Sequence, residues 1–346
     1  MPNLFSSYEL KAHTVKNRLV VPPMVCFDYS DADGIVSDRN VAHYEKLAAG
    51  GSGLVIIEAL CVCREGRLHA SQLGIWGEEC VPGLRRITDA VHRHGAVALA
   101  QIHHAGARRG EGVEGRLIAP SRIESDGQAC EEMSVSDISA VTEKFVMAAG
   151  RARAAGFDGV ELHGCHGYLI SQFFSDVTNL RHDAYGADRA KFAADIVRGV
   201  RNAEGGGFIV CVRMGGNDPD MQSAVGYAKE LEKAGADILH VSTGYRDYRP
   251  ADLVYTEDEN YNWIVRSGII IKRNVGIPVI VVNGIRTPFQ ASYIIEEKLS
   301  DFTAVGRGML VDPDWIVKMS EDRPVAVCRS CMRCNWFTDP SKCPAV

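Results

Sequence analysis

The chain reads as a (β/α)₈ barrel. Three observations predict it: eight short runs rich in Val, Ile and Leu, amphipathic segments between them, and unequal punctuation at the two ends of the runs. The runs cover 18–22, 54–58, 96–101, 159–162, 208–213, 238–241, 278–282 and 303–306. They lack strict alternation, as parallel strands covered on both faces do. The segments 81–94, 136–155, 189–203 and 223–234 carry apolar residues at helical spacing. Where a helix hands over to a strand, glycine stands at the joint, as in His94-Gly95-Ala96, Gly156-Phe157-Asp158, Gly235-Ala236-Asp237 and Gly276-Ile277. Glycine takes the left-handed position that ends a helix, and the chain enters the sheet at once. The opposite joints are long. Roughly thirty residues follow the third run, about twenty-five the fourth and about twenty the sixth, lengths that usually carry function. The competing fold is a doubly wound open sheet. It needs a Gly-rich phosphate turn after an early strand, and no G-x-G-x-x-G stands there.

The 346 residues, 46% hydrophobic and 24% charged, suffice for one large barrel and do not suit a disordered chain. The expected division is a barrel over 1–320 and a cysteine-rich extension over 321–346. A net charge of -6 argues against a nucleic-acid footprint or a polybasic membrane patch. No apolar stretch is long enough to span a bilayer, and no leader-like segment opens the chain, so a cytoplasmic protein is expected. Of the 11 cysteines, seven are scattered and read as free buried thiols.

In a barrel, chemistry sits where the strands end. Those points read Pro23-Met24, Glu58-Ala59, Gln101, His163, Arg213, Gly284 and Gly306-Arg307. The fourth is the richest, Glu161-Leu162-His163-Gly164-Cys165-His166-Gly167-Tyr168-Leu169. Two imidazoles three apart, with a phenol two further on, suit donors aimed at a single oxygen atom. Plain core histidines are the bland alternative. Zinc is another, but the segment offers only Cys165 as a further ligand.

Five blocks in order, "NRLVVPPM" (17–24), "QIHHAG" (101–106), "ELHGCHGYLISQFFS" (161–175), "TNLRHDAYG" (178–186) and "AVGRGMLVDPDW" (304–315), resemble the signatures of the old yellow enzyme family. The resemblance covers 17–315. It implies bound FMN and a ping-pong hydride shuttle from NAD(P)H to an α,β-unsaturated carbonyl compound. By position, Pro23, Met24 and Ala59 match residues lining the flavin ring, and Gln101 matches its pyrimidine partner. Arg213 matches the cation beside N1 and O2, where charge gathers on reduction. Gly284, Gly306 and Arg307 match the phosphate site. His163 and His166 match the pair that binds the substrate carbonyl oxygen, and Tyr168 the proton donor. Cys26, Phe27, Tyr245 and Tyr248 are expected on the substrate side.

The chain departs from the family in three places. The slot after Pro-Met is Val25, with Cys26 one later. The His-Ala-Gly-Arg of the family becomes His104-Ala105-Gly106-Ala107, with Arg108 and Arg109 following. The stretch after Tyr185-Gly186 is shortened to Ala187-Asp188-Arg189.

The tail places Cys328, Cys331 and Cys334 at x₂ spacing, with Cys343-Pro344 further on. That pattern suits an iron–sulfur cluster, and four thiolates also suit structural zinc. The two-flavin dienoyl-CoA reductase branch of the same family carries a four-iron cluster at a similar point, although its third gap is longer. With a cluster present, a separate electron-carrier protein becomes a candidate donor. Tyr245, Tyr248, Tyr255 and Tyr261 crowd the sixth strand-to-helix loop. Flat faces with polar tips suit a planar enone such as a flavone or a 3-keto-steroid, or an oligomer contact. The rival function is a non-catalytic flavin or iron–sulfur protein that passes electrons to a partner. Such a protein has no use for His163, His166 and Tyr168 as donors.

Overall fold

A computed structural model describes residues 3–345, apart from 111, 126 and 257–259. Eight parallel strands close into a barrel: β1 (Leu19–Val21), β2 (Leu54–Cys61), β3 (Val97–His103), β4 (Gly159–Gly164), β5 (Ile209–Gly215), β6 (Ile238–Ser242), β7 (Val279–Val282) and β8 (Phe302–Ala304). β8 pairs with β1 and thereby closes the ring. All eight runs read from the sequence are strands here. The longer helices pack outside: α1 (Asp38–Ala49), α2 (Val81–His92), α3 (Val135–Ala154), α4 (Lys191–Glu204), α5 (Met221–Ala234), α6 (Trp263–Lys272) and α7 (Pro288–Glu296). The short helices Arg307–Val311 and Trp315–Ser320 complete the last unit.

The strands have two apolar sides for different reasons. Val55, Ile57, Ala98 and Val210 face the helices in the large outer core, whereas Val20, Leu54, Ile56, Val97, Leu99, Ile209, Ile238, Ile280 and Phe302 fill the barrel. Burying each such side chain contributes about 1.5–3 kcal/mol. A short hairpin, Tyr8–Leu10 with His13–Val15, plugs the N-terminal end of the barrel through Leu10 and Val15. Three-residue strands carry almost no periodic signal, so sequence reading passes over this hairpin.

Toward the C-terminal ends the inward-facing positions turn polar. Past Val97 and Leu99 come Gln101 and His103; beside them stand Glu161 and His163 on β4, Arg213 on β5, and His240 and Ser242 on β6. Side chains alternate with a period of two, so one apolar floor and one polar ceiling follow directly from the strand sequences. The ladder between β2 and β3 shifts register between Ile57 and Leu60. Such a bulge beside a site re-aims side chains. Here the Glu58 carboxylate turns outward and accepts from Tyr44 of α1 at 3.2 Å.

The long joints lie at this polar end. After β3 the chain runs to the start of α3, where Ser134 and Asp137 form a reciprocal capping box. Both orphaned N–H groups are thereby satisfied, and the helix start is fixed. The tail folds back onto the barrel mouth. Trp336 is 5% exposed and packs with Cys26 and Leu310.

Candidate active site

Strand β4 ends in a turn with two consecutive left-handed residues, His166 at φ 60 and Gly167 at φ 76. Left-handed geometry at a non-glycine residue is uncommon and is held here by its neighbours. His166 donates its backbone N–H to the Thr243 carbonyl at 3.0 Å, and Arg108 donates to the His166 carbonyl at 2.9 Å. The turn brings both rings together. His163 Nε2 lies 3.1 Å from His166 Nδ1, and His166 Nε2 lies 2.9 Å from the Ser242 hydroxyl. Tyr168 sets its ring against His163 at 4.9 Å between centroids and against His103 at 4.5 Å.

Burial decides the charge state of these groups. Removal from water pushes His163 and His166 well below the ordinary imidazole range, so both are neutral hydrogen-bonding groups. Neighbouring Arg213 acts in the same direction on both. Burial pushes the Tyr168 hydroxyl up to about 12, against the pull of nearby Arg108, so the phenol keeps its proton.

One buried carboxylate organises the layer beneath. Burial alone would raise Glu161, yet His240 and Arg213 outweigh that and hold it below the usual range. It accepts from Gln101 Nε2 at 2.7 Å and pairs with His240 Nδ1 at 2.7 Å. Gln101 therefore has its N–H engaged below and its carbonyl oxygen free to accept.

A cavity of about 580 Å³ opens beside the histidines, within the range of small-molecule sites. Its wall combines the apolar Pro22, Pro23 and Met24 with Arg213, Ser242, Gly284, Arg286, Gly306 and Arg307. Gly284 has φ 70, and a Cβ there would meet Asn262 Nδ2 at 2.7 Å, so only glycine fits. The buried Arg213 Nε has no partner. Among the described residues, neither Arg286 nor Arg307 pairs with a carboxylate, which leaves two guanidinium groups for an anion. These features fit a flat ring system ending in a phosphate.

The structure thus brings Pro23, Met24, Arg213, Gly284, Gly306, Arg307 and His166 to one cavity. His163, Ala59 and Gln101 are buried and are not part of its wall. Cys26 is 1% exposed, donates its thiol to the Trp336 carbonyl at 3.5 Å, and lies at the contact with the tail. Phe27 packs against His69 in a tilted arrangement, with ring centroids 4.4 Å apart. Tyr245 lies under Arg108, 5.2 Å from its guanidinium carbon, and Tyr248 is 45% exposed. Tyr255 instead spends its hydroxyl on the Tyr261 carbonyl and packs on the main core. Sequence reasoning missed His103, His240 and Ser242. Extending the period of two along β3 and β6 finds all three.

The four tail cysteines line one cavity of about 230 Å³, and none is in a disulfide. Among the described residues, the one group of three ligand-type side chains within 4.8 Å is His163, Cys165 and His166. No helix is long and apolar enough to cross a membrane among the described residues.

Residues 3–326 match the NADH:flavin oxidoreductase / NADH oxidase family. The chain is 39% identical to an NADH oxidase of Thermoanaerobacter brockii over 96% of its own length, but spans only 53% of that protein. It is 36% identical to an NADPH dehydrogenase of Listeria innocua, covering 93% of this chain and 95% of the relative. Among solved structures, 2-naphthoyl-CoA reductase in complex with 2-naphthoyl-CoA superposes with a TM-score of 0.88 at 25% identity, over 97% of this chain and 55% of that one. An old yellow enzyme homologue from Zymomonas mobilis shares the fold, with a TM-score of 0.81 at 23% identity over 98% and 99% of the two chains.

Proposed function

This chain belongs to the NADH:flavin oxidoreductase / NADH oxidase family, and we propose that it is an FMN-dependent ene-reductase that saturates the C=C bond of an α,β-unsaturated carbonyl compound. The observation that carries this reading is the pair of neutral imidazoles, His163 and His166, 3.1 Å apart beside a cavity lined by Arg286 and Arg307, neither of which pairs with a carboxylate among the described residues.

Pro23 and Met24 would hold one face of the flavin ring. Ala59 and Gln101 would meet its edge, the latter through the carbonyl oxygen that Glu161 leaves free. Gly284, Gly306 and Arg307 would take the phosphate. Bound FMN supplies the redox chemistry, accepting a hydride from NAD(P)H and delivering it to the β-carbon of the substrate. The fixed charge of Arg213 favours negative charge at the nearby ring edge.

His163 and His166 bind the substrate carbonyl oxygen. As the β-carbon gains its hydride, charge moves to that oxygen, and the two hydrogen bonds strengthen with it. Neutral rings suit the task, because they donate without needing a proton from solvent. Tyr168 then gives its proton to the α-carbon as a general acid. Its raised pKa keeps it protonated at working pH. Arg108, which donates to the His166 carbonyl, and Tyr245 beneath it would select a planar carbonyl substrate. The naphthoyl thioester in the similar reductase supports a polycyclic ligand, and the dehydrogenase of matching length supports NAD(P)H as donor.

For the tail we favour a [4Fe–4S] cluster held by Cys328, Cys331, Cys334 and Cys343. All four residues line one cavity, and three cysteines at x₂ spacing with a distant fourth before proline suit such a cluster. Such a centre makes an electron-carrier protein an alternative reductant.

Acid release of the cofactor from anaerobically purified protein, with metal analysis of the same sample, tests both parts. The expected result is one FMN and about four irons per chain. FAD, or no flavin in well-folded protein, refutes the FMN assignment; one zinc per chain, or no metal, refutes the cluster.

A further inference from the structure

The cysteine tail does more than lie beside the barrel. Cys328, Ser330 and Phe337 form part of the wall of the large cavity, together with Gly284, Arg286, Gly306 and Arg307. Cys328 and Arg307 also line the cavity of the four cysteines, so the two cavities share a partition. Within it, Arg286 donates from Nη1 to the Ser330 hydroxyl at 3.0 Å. Ser330 itself sits at φ 52, a left-handed conformation that a side-chain-bearing residue rarely adopts. Its backbone N–H meanwhile donates to Cys328 Sγ at 3.4 Å. The left-handed turn between Cys328 and Cys331 thus presents a hydroxyl to the cavity wall that holds Arg286 and Arg307, neither of which pairs with a carboxylate among the described residues.

We propose that Ser330, held by Arg286, is a ligand of the flavin phosphate, so that the cysteine tail is an integral wall of the flavin site. The inference rests on the FMN reading above. The chemistry is that of a phosphate monoester near two negative charges. Such a group needs several donors and at least one cation to leave water. Gly284 and Gly306 bring backbone close, Arg307 brings one guanidinium, and Arg286 brings a second. Ser330 donates its hydroxyl hydrogen to a phosphate oxygen while its lone pair accepts from Arg286. A hydroxyl can do both at once, which is why serine suits this position and alanine does not. Trp336 keeps the segment in place, since it is 5% exposed and packs with Cys26 and Leu310 on the barrel side.

Riboflavin carries the same ring system without the phosphate and is the discriminating probe. Full-length protein is stripped of flavin, and FMN and riboflavin are titrated separately, following the quenching of flavin fluorescence. The variants are Ser330→Ala and Arg286→Ala, with Ser341→Ala, a tail residue outside both cavities, as control. Ser330→Ala and Arg286→Ala should each weaken FMN about 10-fold to 100-fold, the worth of a hydrogen bond to a charged group. Riboflavin affinity should be unchanged in both, and the control should match the parent for both ligands. Equal weakening of FMN and riboflavin would mean that the tail only packs against the ring and would overturn the phosphate role. Unchanged FMN affinity in Ser330→Ala would overturn it as well. Parent protein that binds neither flavin would refute the FMN reading itself, and is distinguished by that from a failure of the tail's role.

Discussion

His103 Nδ1 lies 3.1 Å from His163 Nδ1, so the ring proposed to grip the substrate oxygen is itself held from behind. His103 is fully buried, burial holds it at about 3, and its Nε2 has no partner among the described residues. A neutral imidazole in that position fixes the orientation of His163 and which of its nitrogens bears hydrogen. His103→Leu removes that contact without touching a ligand. We expect phenolate affinity, which reports on the carbonyl cradle, to fall by up to about tenfold, the worth of one hydrogen bond. Titration of the flavin charge-transfer band with a phenol reads this directly, and unchanged affinity would remove His103 from the positioning role.

The cradle residues should matter more. His163→Ala or His166→Ala is expected to lower enone reduction by about 10²-fold or more, the loss seen when an oxyanion donor is removed. Reduction of the flavin by its donor should be affected less, because no substrate oxygen takes part. Normal enone turnover in both variants would disprove the carbonyl-binding role.

Tyr168→Phe should slow only the half-reaction that puts a proton on carbon. The expected loss is at most about 10²–10⁴-fold, the range for a positioned acid. With its hydroxyl pushed up to about 12, the parent should show no loss of this acid as pH rises through the neutral and mildly alkaline range. Single-turnover oxidation of reduced protein by an enone, followed against pH, reads both effects. A rate limb near neutrality that vanishes in Tyr168→Phe would contradict the assignment.

Acid sensitivity follows from the buried imidazoles. Burial holds His43 at about 4 and His103 at about 3, whereas an imidazole in the unfolded chain titrates near 6.5. Below that value the unfolded state binds protons that the folded state refuses, so stability falls as pH falls. Each such histidine contributes a slope of about 1.4 kcal/mol per pH unit in that window. His103→Gln should flatten the acid limb by close to one proton. Urea unfolding between about pH 6 and pH 4.5 measures it, and an unaltered slope would show that His103 is not held neutral.

Most of the barrel was legible because its strands are short, buried and rich in β-branched residues, and because glycine marks most returns to the sheet; before β8 the left-handed residue is Lys298 instead. The polar ceiling was legible in part. Gln101, His163 and Arg213 stood out as polar ends of apolar runs. His103, Glu161 and His240 face the same interior and were passed over, because a second polar residue in a run looks like the start of a loop. Register was the harder quantity. The bulge at Glu58 and the irregular backbone after Met24 decide where Ala59 and Cys26 point, and neither has a period to follow. In the tail, cysteine spacing announced a shared cavity. That Ser330 turns toward a different cavity depends on one left-handed residue, which no pattern in the sequence marks.

The most direct test of the central claim is anaerobic mixing of the protein, its flavin reduced beforehand, with one equivalent of a cyclic enone in a stopped-flow spectrometer. The account predicts return of the oxidised flavin spectrum together with one equivalent of the saturated ketone, and a much slower return in His163→Ala. A flavin that stays reduced with a range of small and polycyclic enones, and is reoxidised only by oxygen or by a protein partner, would contradict it.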